Sequence, residues 1–476
     1  RQHTYCFIIW HRLRKLTKQR KVVSMRVALI ASPLQNWWHP SPSIVFLKGV
    51  LNRHGIVSTC FDANHEFIKK FGIESVEWTE HNRSYKDEYG IWIEEYVKQF
   101  LDYEWIGISI FTFNSQIFTT KLLKCLKNKT TAKIVLGGAG ITSNHGDKKI
   151  IFENYGQKMI DEGLAHYVIH GEGDDALPAL IKEESYILPQ KSDLKDMPIP
   201  DYSDIDFTSY DKPIIVITGS RGCIRNCTFC DVHASSPRYT YRPGKEVADE
   251  VINQYYNYGV KKFHFSDALV NGNMIEFREF CKQLAAANLP IEWRGMFIFR
   301  SGMTEEDWDL IKKSGCAQLW VGIESGSQRV RWHMKKKFDD KVLYDSINAC
   351  AERQIGMLYL MIVGYPTETE WDFQESLNVL KASRDFAHRV EVRVNLCMLL
   401  PDTQIRDDTS LWHGEIDLWK NYTEDGNILD YAERFRRWKI MSDLVEELGM
   451  IPDQRRKQLE ETIKKMLKRE NIEEKF

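Results

Sequence analysis

No run of this chain is apolar for long enough to cross a bilayer. The N-terminal CFIIW is short and ends at His11, so it also fails as the core of a signal peptide. Charge bias is nearly absent. Lys and Arg number 65 against 67 Asp and Glu, and the formal net charge of -2 offers no global field for nucleic acid or an anionic membrane. There is no repeat of solenoid length and no low-complexity tract. Cysteine is sparse, with ten residues in 476, of which Cys6, Cys60, Cys125, Cys281, Cys316, Cys350 and Cys397 stand singly. Several of these fall inside apolar helix or strand patterns and read as small core residues. That distribution argues against a secreted disulfide scaffold and for a reducing, cytoplasmic compartment.

What is present is a soluble composition, 43% hydrophobic and 28% charged, in a chain too long for one ordinary core. Residues 1–25 carry seven Lys/Arg and no acid. They read as sequence upstream of a start at Met25 or as an ill-ordered tail, rather than as a basic arm for nucleic acid. From Arg26 apolar strands alternate with helical patterns: RVALIAS, IVSTCFD, WIGISIF, KIVLGG and HYVIHGEG are separated by SIVFLKGVLNRHG, IWIEEYVKQFL and SQIFTTKLLKCLKN. This predicts a doubly wound, mostly parallel α/β domain over residues 26–184. Residues 185–213, rich in Pro, Asp and Ser, read as a linker laid across a surface. A second series follows over 214–405, with strands IIVITGS, KKFHFSD, IEWRGMFIFR, AQLWVGIES, GMLYLMIVGYP and RVEVRVNLCMLL. Helical segments lie between them, which predicts a partial parallel barrel with its chemistry at the strand C-termini. Residues 406–476 read as helical, with Leu459, Ile463, Met466 and Leu467 as a packing stripe.

The remaining three cysteines cluster. Cys223, Cys227 and Cys230 fall at C-x3-C-x2-C in GSRGCIRNCTFCDVH, just after the first strand of the second series. Three thiolates on one short loop can hold three irons of a cubane and leave the fourth without a protein ligand. Zinc is the alternative, and His233 at C-x2-H is available to it. Arg and Gly before Cys223, and Phe229 before Cys230, are not zinc-knuckle features.

This spacing, with an aromatic in its last gap and closing the first βα loop of six, resembles the radical S-adenosylmethionine (SAM) superfamily. AQLWVGIESGSQRVRWHMKKKF and LMIVGYPTETEWDF resemble the fourth and fifth strands of the branch with an N-terminal cobalamin-type domain. The resemblance spans about residues 210–405 and implies a [4Fe-4S] cluster whose open iron takes SAM. An electron from the cluster then releases a 5′-deoxyadenosyl radical, with a reductant such as flavodoxin or ferredoxin as partner. It also places Glu324 and Ser325 near the SAM ribose or amino group, and Arg300 at its carboxylate. Ser266 and Asp267 in FSDALVNGN stand where the second strand offers polar groups, although the familiar Gly-Gly-Glu is absent. Phe229 and Val363, Gly364 and Tyr365 would flank the adenine. Each has a plainer alternative: Glu324 capping the helix begun by SGSQRV, Arg300 pairing with Asp307 or Glu305, Asp267 closing a turn.

Residues 26–184 resemble the cobalamin-binding domain of that branch. Ser109 ends a strand where the nucleotide tail is received, Gly137, Gly138 and Gly140 follow the next, and Gly171, Glu172 and Gly173 match its closing strand. The Asp-x-His-x-x-Gly motif that supplies a lower cobalt ligand is missing, since neither His39 nor His65 has that context. The resemblance implies cobalamin-dependent methyl transfer to an unactivated carbon. The alternatives are a cobalamin-free rearrangement, cyclisation or oxidation, and a non-enzymatic iron–sulfur sensor. The substrate is not legible.

Overall fold

A computed structural model describes residues 25–33, 39–72, 87–112, 115–141, 154–184, 194–195 and 197–469. The basic extension before Met25 lies outside them. The chain divides into two compact units, Arg1–Ser192 with Pro198–Asp206, and Asp193–Met197 with Phe207–Phe476.

The first unit is built on β1 (Arg26–Ala31), β2 (Val57–Phe61), β3 (Trp105–Ser109), β4 (Lys133–Gly137) and β5 (Tyr167–Val168). All pairs are parallel, in the order β2-β1-β3-β4-β5. β1 and β3 are buried along most of their length, as strands covered on both faces must be. Each expected helix is found, at Pro42–Arg53, Asp87–Tyr96 and Ser115–Leu126. Two further helices, Ala63–Phe71 and Tyr155–Asp161, are too short to show a clear period in the sequence. The order reverses between β1 and β3, the kind of point at which open α/β sheets take ligands outside their strand carboxyl ends.

The segment read as a linker is partly structural. Tyr202 is buried, and buried Lys48 donates to Ser203 at 2.7 Å and to Asp204 at 2.5 Å.

In the second unit β6 (Ile214–Ile217), β9 (Lys262–Phe265), β10 (Glu292–Phe297), β11 (Cys316–Glu324), β12 (Gly356–Val363) and β13 (Val390–Leu396) pair in chain order, all parallel. Two small hairpins, β7 (Ser220–Arg221) with β8 (Thr240–Tyr241) and β14 (Asn421–Tyr422) with β15 (Ile428–Leu429), stand apart from this sheet. The C-terminal region is not wholly helical: β16 (Ile451–Pro452) adds a seventh strand beside β13. Helix starts follow their caps. Thr304 and Thr369 form capping boxes with Asp307 and Asp372. Along β11, Leu319, Val321 and Ile323 are fully buried in the wall, which turns Gln318, Trp320, Gly322 and Glu324 to the other face. The fold is therefore α/β, a doubly wound unit and a partial barrel with parallel sheets. No helix among the described residues is long and apolar enough to cross a membrane.

Candidate cluster and cofactor site

Cys223, Cys227 and Cys230 line one cavity of about 360 Å³ at the carboxyl ends of the second sheet. Phe229, Met296, Ile298, Leu360, Ile362 and Leu396 make most of its wall apolar. Among the described residues no three His, Cys, Asp or Glu groups converge as ligands of one ion must. Thiols set around a volume suit three corners of a cluster. His233, the fourth ligand zinc would want, instead donates through Nε2 to the Arg225 carbonyl at 2.5 Å. Burial pushes the Cys227 thiol up to about 11 and raises Cys230 as well. An apolar setting of this kind favours thiolates only once a metal neutralises them. The loop is tied down from behind: Thr228 Oγ1 shares a 3.0 Å hydrogen bond with the Tyr365 hydroxyl, and Thr228 N–H donates to the Met334 carbonyl at 3.2 Å.

Glu324 enters the same cavity from a bulge at the end of β11, where the register shifts and its φ is +66°. A non-glycine residue in that region is strained, and such strain gathers at functional sites. Its carboxylate meets Lys336 Nζ at 3.1 Å, both side chains nearly buried. A Cβ on Gly322 would overlap Glu324 Oε1, so glycine there makes room for the pair. Burial raises the Glu324 carboxyl, and Lys336 offsets this only in part. Burial pulls the Lys336 ammonium down, but Glu324 and Cys227 beside it outweigh that and hold it up. Glu324 does not cap the helix Gln328–His333; Ser327 does, accepting from Val330 N–H.

Lys336 was missed because WHMKKKF reads as a solvated basic run. The available signal was alternation: Met334, Lys336 and Phe338 are buried, Lys335 and Lys337 exposed. Arg225 and Cys397 also line the cavity and were not singled out.

Other expected SAM contacts lie outside this lining. Asp267 turns into the barrel wall, accepting from Gly219 N–H at 2.8 Å and Ser220 Oγ at 2.6 Å, and burial raises its carboxyl to about 7. Ser266 is exposed and shares a hydrogen bond with Thr218, while Ala268 takes the wall position. Ser325 is buried between Ser376 and Ser327 N–H, a brace for the turn. Val363 accepts from Cys397 N–H, Gly364 N–H donates to Glu368, and Tyr365 holds Thr228, so this segment supports the wall from outside. Arg300 donates to the Asn271 carbonyl at 3.3 Å. Asp307 and Glu305, its suggested partners, are taken by Arg278 and Arg353.

In the first unit Ser109 Oγ pairs with Ser43 Oγ at 2.8 Å, and Ser32 Oγ with Thr119 Oγ1 at 2.7 Å, at the ends of β3 and β1. A Cβ on Gly137 would meet nothing closer than 3.9 Å, whereas one on Gly138 would collide with the Ile110 carbonyl. Gly140 is likewise backed by Ile110 and Thr112. Phe111 and Ile117 are exposed large hydrophobics close in sequence to this edge.

A partial parallel barrel with a tri-cysteine loop after its first strand puts those thiols at the strand C-termini, where parallel barrels place their chemistry. Residues 217–380 match the family model of the Radical SAM superfamily, and the chain carries a radical SAM domain. It is similar to cytidylyl-2-hydroxyethylphosphonate methyltransferase of Streptomyces wedmorensis, 33% identical over 174 residues, 35% of this chain and 32% of that protein. It is also similar to an uncharacterized methyltransferase of Pyrococcus horikoshii, 24% identical over 197 residues, 40% of this chain and 43% of that protein. The chain thus spans less than half the length of these relatives. Among solved structures it is similar in fold to the radical SAM methyltransferase TsrM of Kitasatospora setae with tryptophan and a SAM analog bound. There the TM-score is 0.62 at 15% identity, covering 89% of both chains. TsrM has also been solved with cobalamin and a [4Fe-4S] cluster bound, and that structure matches with a TM-score of 0.59 at 15% identity, covering 80% of this chain and 77% of that one.

Proposed function

We propose that this chain is a radical SAM enzyme that holds a [4Fe-4S] cluster on Cys223, Cys227 and Cys230 and transfers a methyl group to an unactivated carbon with cobalamin. The observation that carries the reading is the sharing of one cavity by three thiols and the buried Glu324–Lys336 pair. When bound, the cluster supplies an electron for SAM cleavage to a hydrogen-abstracting radical, and cobalamin supplies the methyl group. The chain's own residues bind and exclude. Glu324 offers a desolvated carboxylate to the SAM ammonium, Lys336 holds that carboxylate in place, and Arg300 takes the SAM carboxylate. Phe229 and the apolar wall keep water from the reacting carbon. Bulky ligands suit the first unit's edge at Ser109, where bare Gly137 has nothing closer to its missing Cβ than the Ile169 carbonyl at 3.9 Å. The names of the methyltransferase relatives support the same reading.

A flavodoxin- or ferredoxin-type reductant and a cytoplasmic setting belong to this proposal. The nine cysteines within the described residues, all unbridged thiols, accord with that compartment. One observation favours a cobalamin-free radical reaction: Gly138 and Gly140 are accounted for by packing against Ile110 and Thr112 of the same unit. SAM cleavage measured with and without methylcobalamin, followed by mass spectrometry of the product, separates the two. Methylated product only when methylcobalamin is supplied is the expected result, and a product of unchanged or rearranged mass would remove methyl transfer.

A further inference from the structure

Between Cys223 and Cys227 the loop carries a cation that the ligand spacing does not require. Arg225 lines the same cavity as the three thiols, and its Nε is buried without a hydrogen-bond partner. The backbone around it is fixed. Its N–H donates to Cys223 Sγ at 3.4 Å, and its carbonyl accepts from His233 at 2.5 Å. Among the described residues no carboxylate forms an ion pair with Arg225. The other cation of the cavity differs, because Lys336 is neutralised by Glu324 at 3.1 Å. A second guanidinium, Arg300, is close enough to feel Arg225: burial first and Arg225 next lower its pKa. A buried donor with no acceptor is costly, and a second cation nearby adds to that cost. An anion brought against Arg225 relieves both.

The three thiolates of a bound cluster are the anion that the loop itself brings. Reduction adds one further negative charge to a group already negative. An uncompensated cation and an N–H directed at sulfur both stabilise the reduced form, which is how hydrogen bonds and local charge set such potentials.

We propose that Arg225, a cation on the wall of the cavity that the three thiols share, tunes the cluster and raises its reduction potential. This rests on the cluster assignment above. It makes Arg225 a positioning and tuning residue rather than a catalytic one.

The test is a redox titration of the full chain, reconstituted anaerobically without SAM and followed by electron paramagnetic resonance. R225Q is expected to retain the iron of the wild type. Its ratio of reduced to oxidised cluster at a fixed potential should fall about tenfold, about 59 mV more negative for one electron. R225K keeps the charge but not the Nε–H and should lie between the two; if R225Q fails to load iron, R225K alone must still fall below the wild type. R300Q should leave the potential where it was. Iron-loaded Arg225 variants with the wild-type potential would overturn the inference, as would an equal shift in R300Q. So would an unchanged potential together with weakened SAM binding in R225Q, which would make Arg225 a SAM contact instead. Failure of the wild-type protein to load any cluster would strike the cluster assignment and not this step.

Discussion

The carboxyl ends of the two sheets are built from different materials. At the first stand paired hydroxyls and bare backbone: buried Ser32 with Thr119, half-buried Ser109 with Ser43, and Gly137, where a Cβ would meet the Ile169 carbonyl only at 3.9 Å. At the second, charged and titratable side chains are forced into an apolar cavity: three thiols, a carboxylate–ammonium pair and an unpartnered guanidinium Nε. Glycine shows the contrast most plainly. Gly138 is glycine because the Ile110 backbone lies against it, whereas Gly322 is glycine because Glu324 and Lys336 need the space. An edge of hydroxyls can cradle a bulky ligand at little cost to stability and leaves a faint mark in sequence. A site of buried charges is costly to fold, and here its mark in sequence is the cysteine spacing rather than the charges.

The comparison breaks most sharply at the thiols. Cys227→Ala should abolish cluster binding and SAM cleavage, read from iron content and 5′-deoxyadenosine formation. Cys281→Ala and Cys350→Ala, which alter buried cysteines outside the cavity lining, should retain iron and lose only on the order of 1 kcal/mol of stability. Loss of iron in all three variants alike would erase the distinction between site and core cysteines.

In the first unit the expectation reverses what the glycines suggested in sequence. Gly138→Val should destabilise the fold by roughly 2–5 kcal/mol through overpacking and backbone strain, rather than block a ligand. Gly137→Ala should fold normally, because its Cβ meets only the Ile169 carbonyl at an ordinary 3.9 Å, yet lower corrinoid affinity about tenfold. Urea unfolding and corrinoid titration of the two variants decide this. A stable Gly138→Val protein would contradict the packing account.

Glu324→Gln sharpens the second edge. SAM affinity should fall about tenfold to a hundredfold, the worth of a charge-assisted hydrogen bond. Stability should fall by as much as roughly 3–5 kcal/mol, because Lys336 is left buried and unneutralised. Adding Lys336→Met should restore stability but not SAM binding. Calorimetry on the single and double variants tests both halves, and recovery of binding in the double variant would move the pair from the site to the scaffold.

The last comparison concerns pH. Burial holds the Asp267 carboxyl at about 7, against an ordinary value of 3.8. The folded form therefore binds the proton more tightly than the unfolded form. The stability this contributes is full below about pH 3.8 and is lost as pH rises through about 7, a change on the order of 4 kcal/mol. Asp267→Asn should flatten that slope in denaturant titrations from pH 4 to pH 8. An equal slope in the variant would assign the pH dependence elsewhere.

Much of the second unit was legible because each strand is an apolar run and each helix has its period, and all six expected strands pair in chain order. β16 was not, since two residues carry no pattern and Pro452 argues against a strand. Among the proposed SAM contacts the sequence marks strand ends but not which way a side chain turns. Asp267 and Glu324 both end strands; one is drawn into the wall by Gly219 and Ser220, the other is swung into the cavity by a bulge. Lys336 hid in a basic run, and its burial depends on a Glu twelve residues earlier. In the first unit the strand order, with its reversal between β1 and β3, depends on pairings that no local pattern contains.

The central claim, that one cavity holds cluster and SAM together, is tested most directly by electron paramagnetic resonance of the anaerobically reconstituted, reduced protein before and after SAM is added. The account predicts about four irons per chain and a cubane signal whose shape changes on adding SAM, because SAM takes the open iron. Stoichiometric zinc without iron in protein purified free of air, or a cubane signal that SAM leaves unaltered, would contradict it.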